Sequence, residues 1–296
     1  MSPGKTIVHV DSRWQRQHEQ MGSKAKFWCR ADDDRKWLFK RCRDGTGEDW
    51  AEKVAAEVAA VLGIPHAHVE LAESDGNRGC VVLDFVGEQA ALIHGNELLW
   101  ELDNSYPKEQ RWRVTGHTID NVLRVLSMPK IMPPEGSSIP GMDAVDVFIG
   151  YLLLDTLIGN SDRHHENWAL LRLDNRVTLA PTYDHASSLG RELRDNARRD
   201  ILRRGVDNYA RKARSALYAT LADHRPLSPR AAFLTAAATR PRAHAEWLAR
   251  LAGLSEAALR QIIEKVHPER ISPEATAFAI ALMGHNQRLL LEIETR

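Results

Sequence analysis

The stretch GNSDRHHENWALL (residues 159–171) directly follows an apolar run, VFIGYLLLDTLI (147–158). Charged and imidazole side chains beside a core helix cost free energy unless they have partners, and a metal or a reacting substrate can supply those partners. Three interpretations therefore compete for this stretch: a metal-binding cluster, a catalytic loop, or a polar turn that faces solvent.

The spacing of two aspartates and an asparagine favours the catalytic loop. Asn167 and Asp184 follow Asp162 at spacings of 5 and 22 residues. Between Asn167 and Asp184, WALLRLDNRVTLAP (168–181) predicts two strands joined by an Asp-Asn turn. Protein kinases use this order. Their loop aspartate orients the acceptor hydroxyl, and the asparagine and the second aspartate hold magnesium at the ATP phosphates.

Upstream segments supply the other groups that such chemistry needs. Lys40 ends the apolar segment WLFK (37–40), where kinases place a phosphate-pairing lysine, and the next helix offers Glu52 or Glu57 to hold it. The turn MGSKAKF (21–27) can present N–H groups and lysines to phosphates, and VVLDFV (81–86) is the expected hinge against adenine. The predicted nucleotide contacts are Gly22, Ser23, Lys24, Lys26, Lys40, Asp84, Phe85 and Val86.

The chain divides into a strand-rich part and a helical part. Residues 1–87 predict a small antiparallel sheet with one helix, GEDWAEKVAAEVAAVLGIP (47–65), which stops at Gly63. Residues 88–296 predict mostly helices and a loop at 128–141. The predicted fold class is α+β, with an N-lobe, a mainly helical C-lobe and a ligand cleft between them. The predicted strands are 5–11, 25–32, 36–42, 67–73 and 80–87, and the clearest helices are 118–126, 144–159, 254–266 and 274–293.

Composition limits the classes of function. The 296 residues contain 40 Lys+Arg and 40 Asp+Glu, so the formal net charge is zero, which argues against direct nucleic-acid binding and against a membrane-surface role. The three cysteines (Cys29, Cys42 and Cys80) are scattered, which is typical of a reduced compartment. The N-terminus has no apolar signal core, and no apolar run reaches membrane-spanning length, so we expect a cytoplasmic protein.

The segments GSKAKFW, WLFK, GEDWAEKVAAEVAAVLG, GNSDRHHENWALL and LAPTYDHASSLG together resemble the HipA-like serine/threonine kinases over roughly residues 22–295. The resemblance implies a two-lobed protein-kinase-like fold and transfer of the γ-phosphate of ATP, with magnesium, to a protein hydroxyl. It also implies an antitoxin-type regulator. By this resemblance Asp162 is catalytic and Asn167 and Asp184 bind magnesium. Lys40 is the strand lysine, with Glu52 favoured over Glu57 as its partner.

Two features depart from the HipA pattern. HipA toxins carry an additional N-terminal subdomain, whereas here the phosphate turn already begins near residue 21. Their regulatory serine precedes the glycine of that turn. Here QHEQMG (17–22) has no serine, and Ser23 follows the glycine instead. Ser23 is therefore either an autophosphorylation site or, the favoured interpretation, an unmodified serine of the turn.

The sequence also allows other functions. His164 and His165 with Asp184 and His185 could form the metal cluster of a phosphohydrolase, although these residues lack the ligand spacing of a sustained helix. A kinase-shaped binding module and a nucleotidyl transferase use the same shape of site. Within the loop we expect His164 to form hydrogen bonds that shape it, and His165 and Glu166 to face solvent. Trp50 and Trp168 are expected to be structural.

The segment RELRDNARRDILRRGVDNYARKAR (191–214) carries nine basic and four acidic residues. In kinases the chain after the second aspartate faces the protein substrate, so this excess of positive charge could steer an acidic or nucleic-acid-bound partner. A solvated helix whose arginines pair with nearby carboxylates explains the composition equally well.

Overall fold

The computed structural model describes residues 6–11, 13–18, 26–137 and 139–292, with the backbone alone at 15–18. The first sheet is built from six strands near the start of the chain. They are β1 (Val8–His9), β2 (Gln15–His18), β3 (Lys26–Arg30), β4 (Lys36–Arg41), β5 (Val69–Ser74) and β6 (Asn77–Leu83). Their spatial order is β1-β5-β6-β4-β3-β2.

The pairing of this sheet is antiparallel except at one edge. β1 runs parallel to β5, with Val8 opposite Ala72, so the predicted antiparallel sheet carries one parallel pair at this edge that the sequence did not indicate. Parallel neighbours need a long crossover connection, and the chain between β1 and β5 supplies one. The β5–β6 hairpin turns through Asp75 (φ 51°) and Gly76 (φ 73°), as expected for an Asp-Gly turn with two positive φ angles.

Helix α1 (Glu48–Leu62) packs on β5 and β6. Its apolar side chains Ala51, Val54, Ala55 and Val58 are fully buried. The helix ends at Gly63, whose φ of 70° lets its N–H reach the carbonyls of Ala59 and Ala60. The predicted N-lobe helix and its glycine stop are confirmed.

Both ends of α1 are tied to the C-lobe. At the start, Glu48 forms an ion pair with Arg191, and the Gly47 N–H donates to the Arg191 carbonyl at 2.8 Å. Near the other end, Lys265 Nζ lies 2.6 Å from Glu57 Oε2. These contacts are called the α1 clamp below.

A second sheet lies within the C-lobe. It contains β7 (Ala91–His94), β8 (Ile131–Met132), β9 (Ala169–Leu173) and β10 (Arg176–Leu179), in the order β7-β9-β10-β8. The predicted Asp-Asn hairpin is the pair β9–β10, and its Asp174 has a φ of 50°. β7 and β8 were not predicted, and β8 lies inside the segment expected to be a loop. Both are short strands that owe their structure to pairing with the hairpin.

The rest of the C-lobe is helical, as predicted. Its helices are α2 (Gly95–Leu102), α3 (Ile119–Leu126), α4 (Ala144–Ile158), α5 (Asp195–Arg204), α6 (Asp207–Ala210), α7 (Pro229–Ala237), α8 (Pro241–Ala252), α9 (Glu256–Glu264) and α10 (Pro273–Leu291). None of the helices in the described part of the chain is long and apolar enough to cross a membrane.

Helix α4 is the centre of the core, and it is buried on every side except at Asp146. It starts with a capping box in which the Asp143 carboxylate accepts from the Asp146 N–H, and it ends at Gly159 with a φ of 65°. Because Gly159 reverses the chain, the polar stretch after it emerges from the core at a defined point. Trp50 and Trp168 are 2% exposed, so the prediction that they are structural is confirmed.

Candidate active site

A cavity of about 450 Å³ lies between the first sheet and the loop that follows α4. Its N-lobe wall is formed by side chains of β3, β4, β6 and the segment after β6. Its floor is formed by the loop after α4 and the segment after β10. It brings together the following predicted site residues: Lys26, Lys40, Asp84, Phe85, Val86, Asp162, Asn167 and Asp184.

The loop after α4 is anchored by a buried ion pair. Arg163 has no solvent exposure. Along one edge of its guanidinium, Nε donates to Asp155 Oδ2 and Nη2 donates to Asp155 Oδ1, both at 2.7 Å. Its Nη1 donates to the Asn167 carbonyl at 2.6 Å. Neither Asp155 nor Arg163 was predicted to be part of the site. The available clue was an aspartate inside the apolar run, a position that needs a partner when buried.

Asp162 and Asn167 are held by this loop at the floor of the cavity. The Asn167 Nδ2 donates to the Asp162 carbonyl at 2.6 Å, so its amide oxygen is the atom that remains for a cation. The Asp162 carboxylate accepts from Ser187 Oγ at 3.4 Å, and its side chain is 19% exposed to the cavity. The loop thus presents one carboxylate and one amide oxygen.

Asp184 and Lys40 meet across the cavity. Lys40 Nζ lies 3.1 Å from Asp184 Oδ1. Asp184 has a φ of 60°, a left-handed conformation that is uncommon for a residue with a side chain and that often occurs at functional sites. Burial works to lower the pKa of Lys40, but the negative charges of Asp184 and Glu52 outweigh it, and the pKa is raised. Lys40 is therefore a permanent cation in the cleft.

The two candidate partners of Lys40 differ in their surroundings. Glu52 is 1% exposed, and its charge acts on Lys40. Glu57 instead contacts Lys53 at 2.9 Å and Lys265 at 2.6 Å. The geometry therefore favours Glu52 over Glu57, and its supporting role stays a prediction.

The hinge segment is shaped by the Asp84 side chain. Its carboxylate accepts from the Val86 N–H at 3.0 Å and lies 3.3 Å from Lys36 Nζ. Phe85 packs on Tyr183, with 5.6 Å between ring centroids. The Asp84 side chain thus organises the backbone, and the Val86 N–H is engaged within the protein.

The predicted phosphate turn is described only in part. Lys26 stands opposite Lys40 in the β3–β4 register and lines the cavity. Gly22, Ser23 and Lys24 lie outside the described residues. Their nucleotide contacts, and autophosphorylation of Ser23, stay predictions.

The histidines around the loop are buried and neutral. Burial, then the positive charge of Arg111, lowers the pKa of His164 to about 3, and burial and Arg111 lower that of His165 to about 4. His164 accepts from Arg111 Nη2 at 2.8 Å, in agreement with the loop-shaping role predicted for it. The expectation that His165 faces solvent is wrong, because its ring is 1% exposed and its Nδ1 lies 2.7 Å from the Tyr106 hydroxyl.

The described residues contain no group of three or more His, Cys, Asp or Glu side chains that could hold a metal ion. His185, which the phosphohydrolase interpretation needs, is buried and hydrogen-bonded to Thr182 Oγ1 at 2.8 Å. The metal-cluster interpretation therefore gains no support from the structure.

The sequence matches the family described as the HipA-like C-terminal domain over residues 5–269. The protein belongs to this family. The family membership and the kinase-like fold predicted from the sequence are confirmed.

Solved structures show the same fold. The crystal structure of CtkA, a proinflammatory kinase of Helicobacter pylori, matches with a TM-score of 0.77 at 17% identity, over 97% of each chain. A chain from the complex of HipA, HipB and operator DNA of Shewanella oneidensis matches with a TM-score of 0.58 at 15% identity. That match covers 96% of this chain and 65% of the Shewanella chain, so this protein spans about two thirds of its length. No curated protein sequence matches this one.

Proposed function

We propose that this HipA-like protein is an ATP- and magnesium-dependent serine/threonine protein kinase. The observation that supports this most directly is the 3.1 Å contact between Lys40 and Asp184 in a cavity whose floor also carries Asp162 and Asn167. A partly buried cation and three oxygen-bearing side chains converge where a nucleoside triphosphate would need them.

The donor set fits magnesium and phosphate. The Asp184 carboxylate and the Asn167 amide oxygen are the hard oxygen ligands that magnesium prefers, and it keeps waters and phosphate oxygens in its other positions. Bound magnesium would neutralise charge on the phosphate oxygens. Lys40 would hold the phosphates, with Glu52 behind it. Asp162 would orient the acceptor hydroxyl and accept its proton.

We extend the proposal to regulation and organisation. An antitoxin-type partner is proposed because the structurally similar HipA occurs in a complex with HipB. The lobe limits 1–87 and 88–296 and a cytoplasmic location are also proposals.

The test is incubation of the full chain with γ-labelled ATP, magnesium and a host lysate, followed by phosphoamino-acid analysis of the labelled proteins. We expect label on serine or threonine from the wild type and none from Asp162→Ala. A parallel reaction with α-labelled ATP separates the alternatives, because nucleotidyl transfer labels protein only in that reaction. Transfer of the α-label, or no label in either reaction, would contradict the kinase proposal.

A further inference from the structure

A second cavity of about 370 Å³ adjoins the candidate active site on the C-lobe side. It is called the anion pocket below and is defined by three arginines in its wall, Arg111, Arg113 and Arg214. Ser161 and His164, which flank Asp162 in the sequence, line both cavities. The pocket therefore opens beside the aspartate that would orient the acceptor hydroxyl.

The charged residues that line this pocket are all arginines. Four histidines also line it, of which His117, His164 and His165 have lowered pKa values and are neutral at pH 7. None of the described lining residues is an aspartate or a glutamate. In the described part of the chain, neither Arg113 nor Arg214 forms an ion pair with a carboxylate. Burial, then the positive charge of Arg225, lowers the pKa of Arg214, so this guanidinium lies among like charges. Since the chain has no net charge, this local excess of positive charge favours an anion as the occupant of the pocket.

Two polar atoms at the pocket have no hydrogen-bond partner. Among the described residues, Arg111 Nε and His165 Nε2 are buried without one, and the nearby Glu166 carboxylate lies 3.8 Å from Arg111 Nε, beyond hydrogen-bond distance. Arg111 is held in place by its contact with His164 at 2.8 Å and by the face of Trp112, 5.3 Å from its guanidinium carbon. Trp112 is 55% exposed and forms an apolar rim. A small cavity with an aromatic rim, in which Arg113 and Arg214 have no carboxylate partner, fits one anionic side chain better than an extended strand of nucleic acid.

We propose that the anion pocket binds an acidic or phosphorylated side chain of the protein substrate, next to the acceptor serine or threonine. This inference rests on the proposed kinase function and adds the substrate class to it. Guanidinium groups bind carboxylate and phosphate alike through paired N–H donors, so the two sources share one chemistry.

The test uses the full chain, γ-labelled ATP and serine- or threonine-centred peptides in which each flanking position is fixed in turn as Glu, phosphoserine, Gln or Lys. We expect the wild type to prefer an acidic residue over Gln by about tenfold at one or two positions, the effect of one charge-assisted hydrogen bond. The Glu and phosphoserine peptides distinguish carboxylate from phosphate.

Variants distinguish the effect of losing positive charge in the pocket from the effect of disturbing the fold. The double variant Arg113→Gln, Arg214→Gln is expected to lose the preference while its KM for ATP stays unchanged. Arg214→Lys is expected to keep part of the preference, and Arg214→Glu to shift it toward Lys peptides, which a merely structural role would not do. The matched control is Arg204→Gln, an exposed arginine outside the pocket. An unchanged preference in Arg214→Glu, or a preference for Lys in the wild type, would overturn the proposal.

A binding measurement keeps this proposal separate from the kinase proposal. Labelled peptides with Ala at the acceptor position are titrated with the protein and followed by fluorescence anisotropy, which needs no phosphoryl transfer. If binding requires the acidic residue of the peptide but no peptide is labelled, the anion pocket is supported and the kinase function is contradicted. If peptides are labelled without a preference for an acidic residue, the kinase function is supported and the anion pocket is contradicted. Arg214-dependent binding of tRNA, with no preference among the peptides, would assign the pocket to nucleic acid and overturn the proposal.

Discussion

Asp162 and Asp184 are both carboxylates at the cavity floor, but they have different neighbours. Asp184 lies 3.1 Å from Lys40, whereas Asp162 lies between Ser161 and His164, which also line the anion pocket. The two residues are therefore expected to serve different steps.

Asp162→Ala is expected to keep nucleotide affinity and to lose phosphoryl transfer by about 10²–10⁴-fold, the usual contribution of a positioned acid or base. Asp184→Ala is expected to weaken magnesium–nucleotide binding as well, because it removes a metal ligand. Isothermal calorimetry with ATP and magnesium distinguishes the two variants. Asp44→Ala, at a side chain 94% exposed, is the control. Equal loss of binding in Asp162→Ala and Asp184→Ala would refute the assigned roles.

Glu52 and Glu57 provide a matched pair on one helix. Glu52→Gln is expected to lower kcat/KM by roughly tenfold or more, since a charge-assisted contact contributes about 1.5–3 kcal/mol. Glu57→Gln is expected to leave kcat/KM nearly unchanged, because its partners are Lys53 and Lys265. Steady-state kinetics of both variants decides the matter, and a larger loss in Glu57→Gln would reverse the assignment.

Helix α4 and the loop after it form one unit through the Asp155–Arg163 pair. Both side chains are buried, and Arg163 also binds the carbonyl of Asn167. The helix that makes the core therefore fixes the position of the proposed metal ligand.

Arg163→Met is expected to destabilise the protein by about 3–5 kcal/mol, because it leaves Asp155 buried and unpaired. Denaturant unfolding followed by circular dichroism measures this loss. The control is Arg260→Met on α9, where the partner Glu256 is exposed and the loss should stay below about 1 kcal/mol. Replacing both residues, as Asp155→Leu with Arg163→Met, is expected to recover part of the stability. Equal losses in Arg163→Met and Arg260→Met would contradict the anchoring role.

The arginines of the basic segment 191–214 mostly form ion pairs within the protein. Arg198 binds Asp195 at 2.8 Å and is 6% exposed, Arg199 binds Glu274 at 2.6 Å, and Arg203 pairs with Asp200. These contacts favour the helix of internally paired charges over a docking surface. Arg214 differs, because it faces the anion pocket.

Buried neutral histidines make the free energy of unfolding of the protein depend on pH. Burial, then the neighbouring His165, lowers the pKa of His117 to about 3, and its ring accepts from Trp168 Nε1 at 3.1 Å. A lowered histidine pKa means that the unfolded chain binds the proton first. The stabilisation is therefore complete above pH of about 6.5 and is lost as the pH falls toward the folded pKa.

The free energy of unfolding should therefore decrease between pH of about 6.5 and 4, by up to about 1.4 kcal/mol per pH unit for each such histidine. His117→Gln is expected to be less stable at pH 7 and to show a shallower dependence on pH. Urea unfolding across this range measures the slope. The exposed His9→Gln should keep the wild-type slope, and an unaltered slope in His117→Gln would rule out this cause.

Local sequence signals predicted much of this molecule. The glycine stop of α1 and the Asp-Asn hairpin are short-range patterns whose physical cause lies within a few residues. The hairpin in turn brings Asp184 back to the same cavity as Asp162 and Asn167. The contacts that could not be predicted join distant parts of the chain. Tyr106 buries His165, Arg111 reaches His164, and β7 and β8 exist through pairing with the hairpin. Such contacts are determined by tertiary packing, which produces no periodic pattern in the sequence.

The α1 clamp bears on how such an enzyme could be turned off. Protein kinases are commonly silenced by displacing the helix that carries the glutamate partner of the strand lysine. Here that movement would break the Glu48–Arg191 and Glu57–Lys265 pairs together. Because displacing α1 costs two ion pairs, we expect an inhibitor or regulatory partner to act by blocking an entrance to the cleft. We expect control of this protein to be a matter of access and not of helix position.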